Sequence, residues 1–263
     1  LPFFFSTLLQ RFYPPPGAAI VGQAVGAGGL AAIGSCDRLI MLLINFFLWV
    51  STGASIAVSQ AFGRHSHQEL HRVVHTSVAL GLLSGVALTV IGVAVSPALL
   101  RMMDTPADVF PLAVDYIQVY FLGMVPSMVY NMGSGILRAM GNSQSALFYL
   151  LAAGIINIGL DLWFVVGLGW GTAGAAGATA LSQLLPAILV LRKLSQLEEG
   201  YRLQLRAVRI WREEAAYIIR VGIPAGMRMV LISLSNVIVQ TRINQFGLEA
   251  MAGVTLFFRL EGY

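Results

Sequence analysis

A single carboxylate inside an otherwise apolar stretch is the residue best suited to chemistry in this sequence. Asp161 lies in the segment from Gly154 to Gln183, and Asn157 precedes it by one helical turn. Positions i and i+4 of a helix share a face, so the amide and the carboxylate would lie together. An ionised Asp at the centre of a bilayer helix costs about 2.5–3.5 kcal/mol, so it must meet a polar cavity, a partner or a proton.

Thr179 adds a third oxygen to this group, because the turn GLGWG would return the chain antiparallel and place the next small-residue segment alongside. Carboxylate, amide and hydroxyl oxygens are the ligands that a hard cation prefers. The same groups would hold a protonated acid through hydrogen bonds, and burial favours its neutral form. We therefore predict a cation site at Asp161, Asn157 and Thr179, with Na⁺ and H⁺ both open as the ion.

The histidines form a second group with a spacing that suits chemistry. The chain has four, His65, His67, His71 and His75. The last three fall at i, i+4 and i+8 on one face of a helix, a spacing that can bind a metal. A membrane metalloenzyme is therefore one hypothesis. A di-metal membrane oxidase needs further His clusters, however, and all four histidines lie in one place, which favours interfacial polar residues.

The composition predicts an all-α, polytopic membrane protein. Hydrophobic residues make up 57% of the chain and charged residues 11%, with a mean hydropathy of +0.78. Soluble domains carry about 25% charged residues. Apolar runs near the roughly 20 residues that span a bilayer recur along the chain. The net charge of +4 does not indicate nucleic-acid binding, because the basic residues lie at membrane edges.

Turn and charge signals divide the chain into three regions. Residues 1–193 are predicted to form a six-helix transmembrane lobe, residues 194–212 a basic cytoplasmic linker, and residues 213–263 the start of a second, truncated lobe. The sequence starts without Met and stops inside an apolar segment, so we expect it to be part of a longer protein. The predicted spans are about Leu1–Val25, Leu30–Phe62, Val73–Leu100, Val109–Met140, Ala146–Leu168, Gly171–Leu191 and Glu213–Phe246.

Three features qualify these spans. Pro14-Pro15-Pro16 must interrupt the first one, because consecutive prolines cannot continue a regular helix. Pro126 is expected to kink the fourth. Methionines at i, i+4 and i+8 of the fourth span could line an adaptable drug surface, although plain core packing is the favoured interpretation. These are Met124, Met128 and Met132.

The basic residues predict the orientation. Arg64, Arg72, Arg138 and the run from Arg192 to Arg212 fall on one side of the predicted spans. By the positive-inside tendency that side is cytoplasmic, which also places the N-terminus inside the cell. The segment Arg202–Arg212 fits an amphipathic helix on the inner membrane surface and fits a solvated connector about as well.

A weak internal repeat suggests two parallel halves. Four residues near the start of the chain recur at one constant offset near its end, in segments separated by six predicted spans. A repeat of this kind implies a pseudo-twofold axis along the membrane normal, a plan in which transporters place the substrate site between the halves. The paired residues are Gly26 and Gly247, Ala31 and Ala252, Arg38 and Arg259, and Leu39 and Leu260.

Several motifs in this order resemble the multidrug and toxic compound extrusion (MATE) family. They are GILRAMG at Gly135–Gly141, NIGLD at Asn157–Asp161 and GTAGAAGATALSQ at Gly171–Gln183, together with the opening LPFFFSTLLQRFY. The resemblance implies about twelve helices in two lobes. It implies efflux of organic compounds, expected to be cationic, driven by entry of Na⁺ or H⁺, with no other cofactor and no catalytic residues.

The same resemblance implies site residues. In the branch similar to DNA-damage-inducible and archaeal-type members, the first-lobe cation site maps onto Asp161, Asn157 and Thr179. Other contacts in this lobe, predicted here to bind substrate, map onto Pro2, Gln10, Tyr13 and Asn131. One departure concerns the usual acidic partner of Asp161: where the pattern has a carboxylate four residues after Tyr13, this chain has Gly17.

The function we expect is therefore a cation-coupled antiporter in the cell membrane, a secondary transporter rather than an enzyme. Its partners would be a small organic substrate and the lipid bilayer, and the full-length protein would be a monomer. A lipid-linked glycan flippase of related fold is the second hypothesis. It would need a strongly cationic central cavity, for which the first-lobe spans offer mainly Arg11 and Arg38.

Overall fold

The structure is a computed structural model that describes residues 16–102, 105, 107–197 and 201–244. All regular structure in these ranges is helical. Pro2, Gln10, Tyr13 and most of the first predicted span lie outside the described residues, as does the second copy of the internal repeat.

Nine α-helices are described, joined by a few short irregular elements. Their bounds are α1 Pro16–Ala24, α2 Ala27–Gly63, α3 His67–Met102, α4 Phe110–Leu122, α5 Met124–Ala139, α6 Ser143–Asp161, α7 Gly171–Ser182, α8 Leu184–Ser195 and α9 Arg212–Asn244. A π-helix, Leu162–Gly167, continues α6, and a single 3₁₀ turn, Leu205–Ala207, lies before α9.

The lengths and compositions of the described helices agree with a polytopic membrane protein. Four uninterrupted or nearly straight segments are long and apolar enough to cross a bilayer: Ala32–Gly63, His67–Met102, Ser143–Gly167 and Gly171–Ser195. The pair α4 and α5 would add a fifth span if the two helices cross together. The predicted fold class is confirmed.

The fourth predicted span is not one continuous helix. It divides at Gly123 into α4 and α5, which are bent by 49°. Pro126 contributes to this break, because proline lacks an N–H and its ring clashes with the carbonyl four residues earlier, here that of Leu122. A Cβ at Gly123 would lie 2.5 Å from the Cβ of Ala180, so the break also lets α7 approach closely.

The sixth predicted span is divided in the same way. α7 ends at Ser182 and α8 begins at Leu184, with Pro186 in the first turn of α8. The carbonyl of Ser182 is the one that the Pro186 ring would meet in a continuous helix. The two pieces together form one candidate span, Gly171–Ser195, which agrees with the predicted sixth span from about Gly171 to Leu191.

The polar loop predicted between Gly63 and Arg72 is shorter than expected, because α3 begins at His67. Ser66 lies just before this helix, and its Oγ accepts a hydrogen bond from the Glu69 backbone N–H at 3.4 Å. Ser followed three residues later by Glu is the capping-box pattern, which starts helices by satisfying free N–H groups. This signal was present in the sequence and would have corrected the boundary.

Two buried clusters form the core of the described part. One joins α2, α3, α5, α8 and α9, and the other joins α1, α2, α3, α4, α5 and α7. Met124, Met128 and Met132 are all buried within these clusters. The interpretation of these methionines as plain core packing is therefore confirmed, and the described structure does not expose them as a drug surface.

The helix that opens the predicted second lobe packs directly on the first lobe. α9 crosses α2 where Gly53 faces Gly222, and Gly226 lies against Trp49. A Cβ at Gly222 would come within 2.6 Å of the Trp49 carbonyl oxygen. Small residues allow two helix backbones to approach this closely, which is how helices associate inside membranes.

The segment from Arg202 to Trp211 is not an amphipathic α-helix. It contains only the 3₁₀ turn Leu205–Ala207, and the rest is irregular. The backbone N–H groups of Gln204 and Trp211 bond to side chains on α3 instead of to carbonyls within a helix. The interpretation as an amphipathic helix is therefore wrong, and the segment is an irregular connector.

Candidate cation site

Asp161 is the last residue of α6 and is almost completely buried, with 1% of its surface exposed. Neither carboxylate oxygen has a hydrogen-bond partner among the described residues. Burying a charged group without a partner is very unfavourable, so the group must be neutralised. Uptake of a proton or binding of a cation would achieve this.

The backbone changes geometry immediately after Asp161. Residues Leu162–Gly167 form a π-helix, and its end is marked by a hydrogen bond of 2.9 Å from the Leu168 N–H to the Trp163 carbonyl. π-helical turns are rare and are found frequently at functional sites. The sequence gives no indication of this element, because its apolar residues suit a regular helix equally well.

Close packing of α7 holds this π-helix in place. A Cβ at Gly174 would lie 3.2 Å from the Phe164 carbonyl oxygen and 3.0 Å from the Trp170 Cβ. The turn before α7 uses left-handed backbone at Gly169 and Gly171, with φ of 66° and 58°. Glycine adopts these values without steric cost. The small-residue run of α7 therefore serves helix packing, as the sequence suggests.

Asn157 and Thr179 meet across α6 and α7. The Asn157 Nδ2 donates to the Thr179 Oγ1 at 3.4 Å, and the Thr179 hydroxyl donates to the Ala175 carbonyl at 3.0 Å. The antiparallel return predicted from the sequence thus does bring Thr179 alongside Asn157. Asp161 lies one turn further along α6 than Asn157.

The atom types of these three residues are those that a hard cation prefers, and the cation site stays a prediction. Asp161 supplies two oxygens without hydrogen-bond partners in the described structure, and the Thr179 hydroxyl is a third oxygen. The Asn157 nitrogen is used by Thr179, which leaves its carbonyl oxygen as the atom that could serve a cation. Oxygen ligands of this kind suit a hard ion, and a proton on Asp161 would meet the same need.

One further residue was not singled out from the sequence. Tyr116 on α4 is 7% exposed, and its hydroxyl lies within electrostatic range of Asp161. No motif or spacing links α4 and α6 in the sequence, so only the packing of the helices brings these two groups within range.

Asn131 has a different environment from the predicted cation site. Its Nδ2 donates to the Ser127 carbonyl at 2.9 Å, and its backbone carbonyl accepts from Ser51 on α2 at 3.2 Å. These contacts join α5 to α2 and do not involve Asn157 or Thr179. Its predicted role in substrate binding stays a prediction. Gly17, at the position of the expected acidic partner, lies in the first turn of α1.

The histidines at the start of α3 are structural in this arrangement. His75 is fully buried; its Nδ1 donates to the His71 carbonyl at 2.7 Å, and its Nε2 accepts from the Gln204 N–H at 3.0 Å. Both ring nitrogens are therefore occupied. Among the described residues, no group of three His, Cys, Asp or Glu side chains is arranged to hold a metal ion.

The fold and the site together define a class of protein. Several membrane-spanning helices enclose a buried ionisable side chain beside polar groups of a neighbouring helix. Ionisable residues in such positions are typical of ion and substrate pathways in membrane transporters.

Comparison with known proteins identifies the family. The MatE family model matches residues 2–163. The chain belongs to the MatE family, whose members are membrane transporters and not enzymes.

Individual relatives agree with this assignment. The chain is 30% identical to the "Probable multidrug resistance protein YoeA" of Bacillus subtilis, in an alignment that covers 100% of this chain and 58% of YoeA. A solved structure of MATE in the bent conformation superimposes with a TM-score of 0.88 at 26% identity, covering 98% of this chain and 58% of that one. A MOP superfamily transporter from Pyrococcus furiosus, described as having a binding pocket of reverse polarity, gives 0.84 at 27% identity, covering 99% and 58%.

The chain spans 58% of the length of the relatives it matches. The division of the chain into a first lobe, a linker and the start of a second lobe stays a prediction.

Proposed function

We propose that the full-length protein is a cation-coupled antiporter that exports organic compounds across the cell membrane. The match to the MatE family supports transport. The name of the relative YoeA, a probable multidrug resistance protein, supports organic compounds as the substrate class. Cationic compounds are the substrates we expect first.

The observation that carries the proposal is the state of Asp161. This carboxylate is buried, it lacks hydrogen-bond partners among the described residues, and it lies beside the Asn157–Thr179 pair. A buried carboxylate without partners must be neutralised, and either Na⁺ or H⁺ would do this. We propose Asp161, Asn157 and Thr179 as the residues that hold this coupling ion.

Coupling requires that the ion bind with different affinity to the two conformations of the transporter, one open to the cytoplasm and one open to the outside. A ligand shifts a conformational equilibrium only by its differential affinity for the two states. The cation changes the charge of Asp161, and with it the cost of keeping this residue buried. Each elementary charge that moves inward through 100 mV adds about 2.3 kcal/mol to drive export.

Efflux measurements on cells that express the full-length protein test the proposal. Wild type is compared with Asp161→Asn, with and without a sodium gradient and with a protonophore. Asp108→Asn is the matched control, because Asp108 is an exposed acid in the loop before α4. We expect loss of dye efflux in Asp161→Asn and not in Asp108→Asn, at equal amounts of inserted protein.

The same assay separates the two ions and the substrate classes. Efflux that requires sodium and Asp161 indicates Na⁺ coupling, whereas efflux that ignores sodium but collapses with a protonophore indicates H⁺ coupling. Normal efflux in Asp161→Asn would contradict the proposal. Cationic and anionic dyes are tested side by side, because the relative from Pyrococcus furiosus is described as having a pocket of reverse polarity.

We also propose that the side of the membrane that carries the basic loops is cytoplasmic. Arg64, Arg138 and the linker after α8 lie on this side, while Arg101 lies at the other end of α3. The positive-inside tendency supports this orientation. Labelling of single cysteines at Ser195 and Asp108 in intact cells tests it. An impermeant reagent should modify only the cysteine at position 108, and the reverse pattern would invert the assignment.

A further inference from the structure

The linker between the two lobes, residues 201–211, is fastened to the side of α3. The Gln204 N–H donates to the His75 Nε2 at 3.0 Å, and the Trp211 N–H donates to the Thr76 Oγ1 at 3.3 Å. Leu203, just before the first of these points, is buried in the core, and Val208, between the two points, packs against the same core cluster. The linker is therefore held along the helix bundle and does not project freely from its end.

The anchor points lie near the edge of the membrane. α3 has 36 residues, so it is about 54 Å long, which exceeds the hydrocarbon core of a bilayer by about 24 Å. His75 lies about 12 Å along the helix from His67. Arg72 precedes it by one turn, and no charged residue follows until Arg101. Both lines of reasoning place His75 and Thr76 at the boundary between headgroups and hydrocarbon.

Four of the side chains between the anchors are exposed at this depth. Leu205 is 66% exposed and Ile210 is 43% exposed. Arg206 and Arg209 are exposed beside them, and the Arg209 guanidinium lies 4.4 Å from the centre of the Trp211 ring. Apolar residues, arginine and tryptophan together are typical of segments in the membrane interface.

The acidic residues that follow the linker neutralise this surface only in part. Glu214 forms an ion pair with Arg72 at 3.5 Å, beside a cavity of about 320 Å³. Glu213 is exposed next to exposed Arg212 at the start of α9. One exposed carboxylate against the three exposed guanidinium groups of Arg206, Arg209 and Arg212 leaves an excess of positive charge.

We propose that this surface binds the headgroups of anionic phospholipids in the leaflet that it borders. We call it the headgroup surface and define it by Arg206, Arg209, Arg212, Leu205 and Ile210. The guanidinium groups match phosphate oxygens in charge and geometry. Leu205 and Ile210 would insert between the headgroups, where burial of apolar side chains is favourable. Because the linker joins the first lobe to α9, a bound lipid would contact the connection between the two lobes.

The first test measures the depth of the linker in the membrane. A fluorophore is attached to Leu205→Cys in the full-length protein, in a background without other cysteines, and the protein is reconstituted in nanodiscs that contain phosphatidylglycerol. A spin label carried on lipid headgroups should quench the fluorescence strongly, and aqueous iodide should quench it weakly. Strong quenching by iodide with none from the lipid label would overturn the proposal. A fluorophore at exposed Arg64, in the loop before α3, provides the aqueous reference.

The second test measures whether the arginines of the headgroup surface select anionic lipids over neutral ones. Native mass spectrometry measures how many phosphatidylglycerol and how many phosphatidylcholine molecules stay bound to the full-length protein. The ratio of the two gives the lipid preference. Each arginine near a charged surface contributes enough to change the preference about fivefold. Arg206→Gln should lower the phosphatidylglycerol preference by about this factor, and the triple change of Arg206, Arg209 and Arg212 to Gln should lower it more.

Arg64→Gln is the matched control, since Arg64 is exposed and already forms an ion pair with Glu69 at 2.8 Å. The proposal is wrong if the triple variant keeps the wild-type lipid preference, or if Arg64→Gln reduces it as much as Arg206→Gln does. Neither measurement uses transport, so the outcome is independent of the proposed function.

Discussion

A methyl group at Gly53 should separate the two helices that join the lobes. Gly53 on α2 faces α9, and a Cβ there would overlap the Ile218 carbonyl oxygen and lie 2.9 Å from the Gly222 Cα. Both contacts are with backbone atoms, which cannot rotate away as the end of a side chain can. Gly53→Ala therefore requires movement of a whole helix.

The expected loss of folding stability can be taken from other proteins in which an added methyl group overfills a packed interior. Extra methyl groups in tightly packed interiors cost about 1–3 kcal/mol. Alanine also has the better helix propensity, by about 1 kcal/mol relative to glycine in a helix interior. We therefore expect net destabilisation by up to about 2 kcal/mol, because the propensity gain offsets part of the packing cost.

Gly34 supplies a matched control on the same helix. It also lies within α2, but a Cβ there would meet no heavy atom within 4 Å. Gly34→Ala should therefore be neutral or slightly stabilising, since only the propensity changes.

The assay is thermal unfolding of the purified full-length protein, wild type beside both variants. Gly53→Ala should lower Tm, and Gly34→Ala should leave it unchanged or raise it. If Gly53→Ala were as stable as Gly34→Ala, the close packing of α2 against α9 at Gly53 would be refuted.

Two further substitutions test the connections at the start of α3. His75→Phe should cost about 1 kcal/mol, because the partly buried Gln204 N–H loses its acceptor, and faster hydrogen exchange at Gln204 would report this directly. His67→Phe, at an exposed position, should leave that exchange rate unchanged; equal effects in both variants would contradict the anchor. Ser66→Ala should cost about 1 kcal/mol, because the Glu69 N–H loses its cap, and an unchanged denaturation midpoint would argue against the capping box.

The breaks in the helices illustrate where sequence reasoning reaches its limit. Pro126 and Pro186 each lie four residues after the end of a helix, as proline sterics predict. Pro97, in contrast, lies inside α3 without ending it. Proline alone therefore does not locate a break. At Gly123 the close approach of Ala180 accompanies the bend, and that contact comes from another helix.

The candidate site likewise combines features that the sequence predicts with features that only the tertiary structure shows. The spacing of Asn157 and Asp161 predicts a shared helical face, and the glycine-rich turn predicts that Thr179 returns beside them. The contact between Asn157 and Thr179 agrees with this reasoning. The π-helix after Asp161 and the approach of Tyr116 could not be predicted, because both depend on how α4 and α7 pack around α6.

The linker is the clearest case of tertiary structure overriding a local pattern. Its alternation of arginine with apolar residues suits an amphipathic helix and a connector equally well. His75 and Thr76 on α3 decide between them, because they accept N–H groups that a helix would have used internally. Those acceptors lie far away in the chain, so no local signal could report them.

The sequence by itself determined that this is a helical membrane protein of the MatE family with one buried acid of interest. It did so because bilayer hydrophobicity, helical periodicity and the cost of a buried charge are properties of local composition. Only the tertiary structure decided where the spans break, which groups surround Asp161 and how the linker lies on α3. Those features depend on contacts between residues distant in sequence, whose energies no single segment contains.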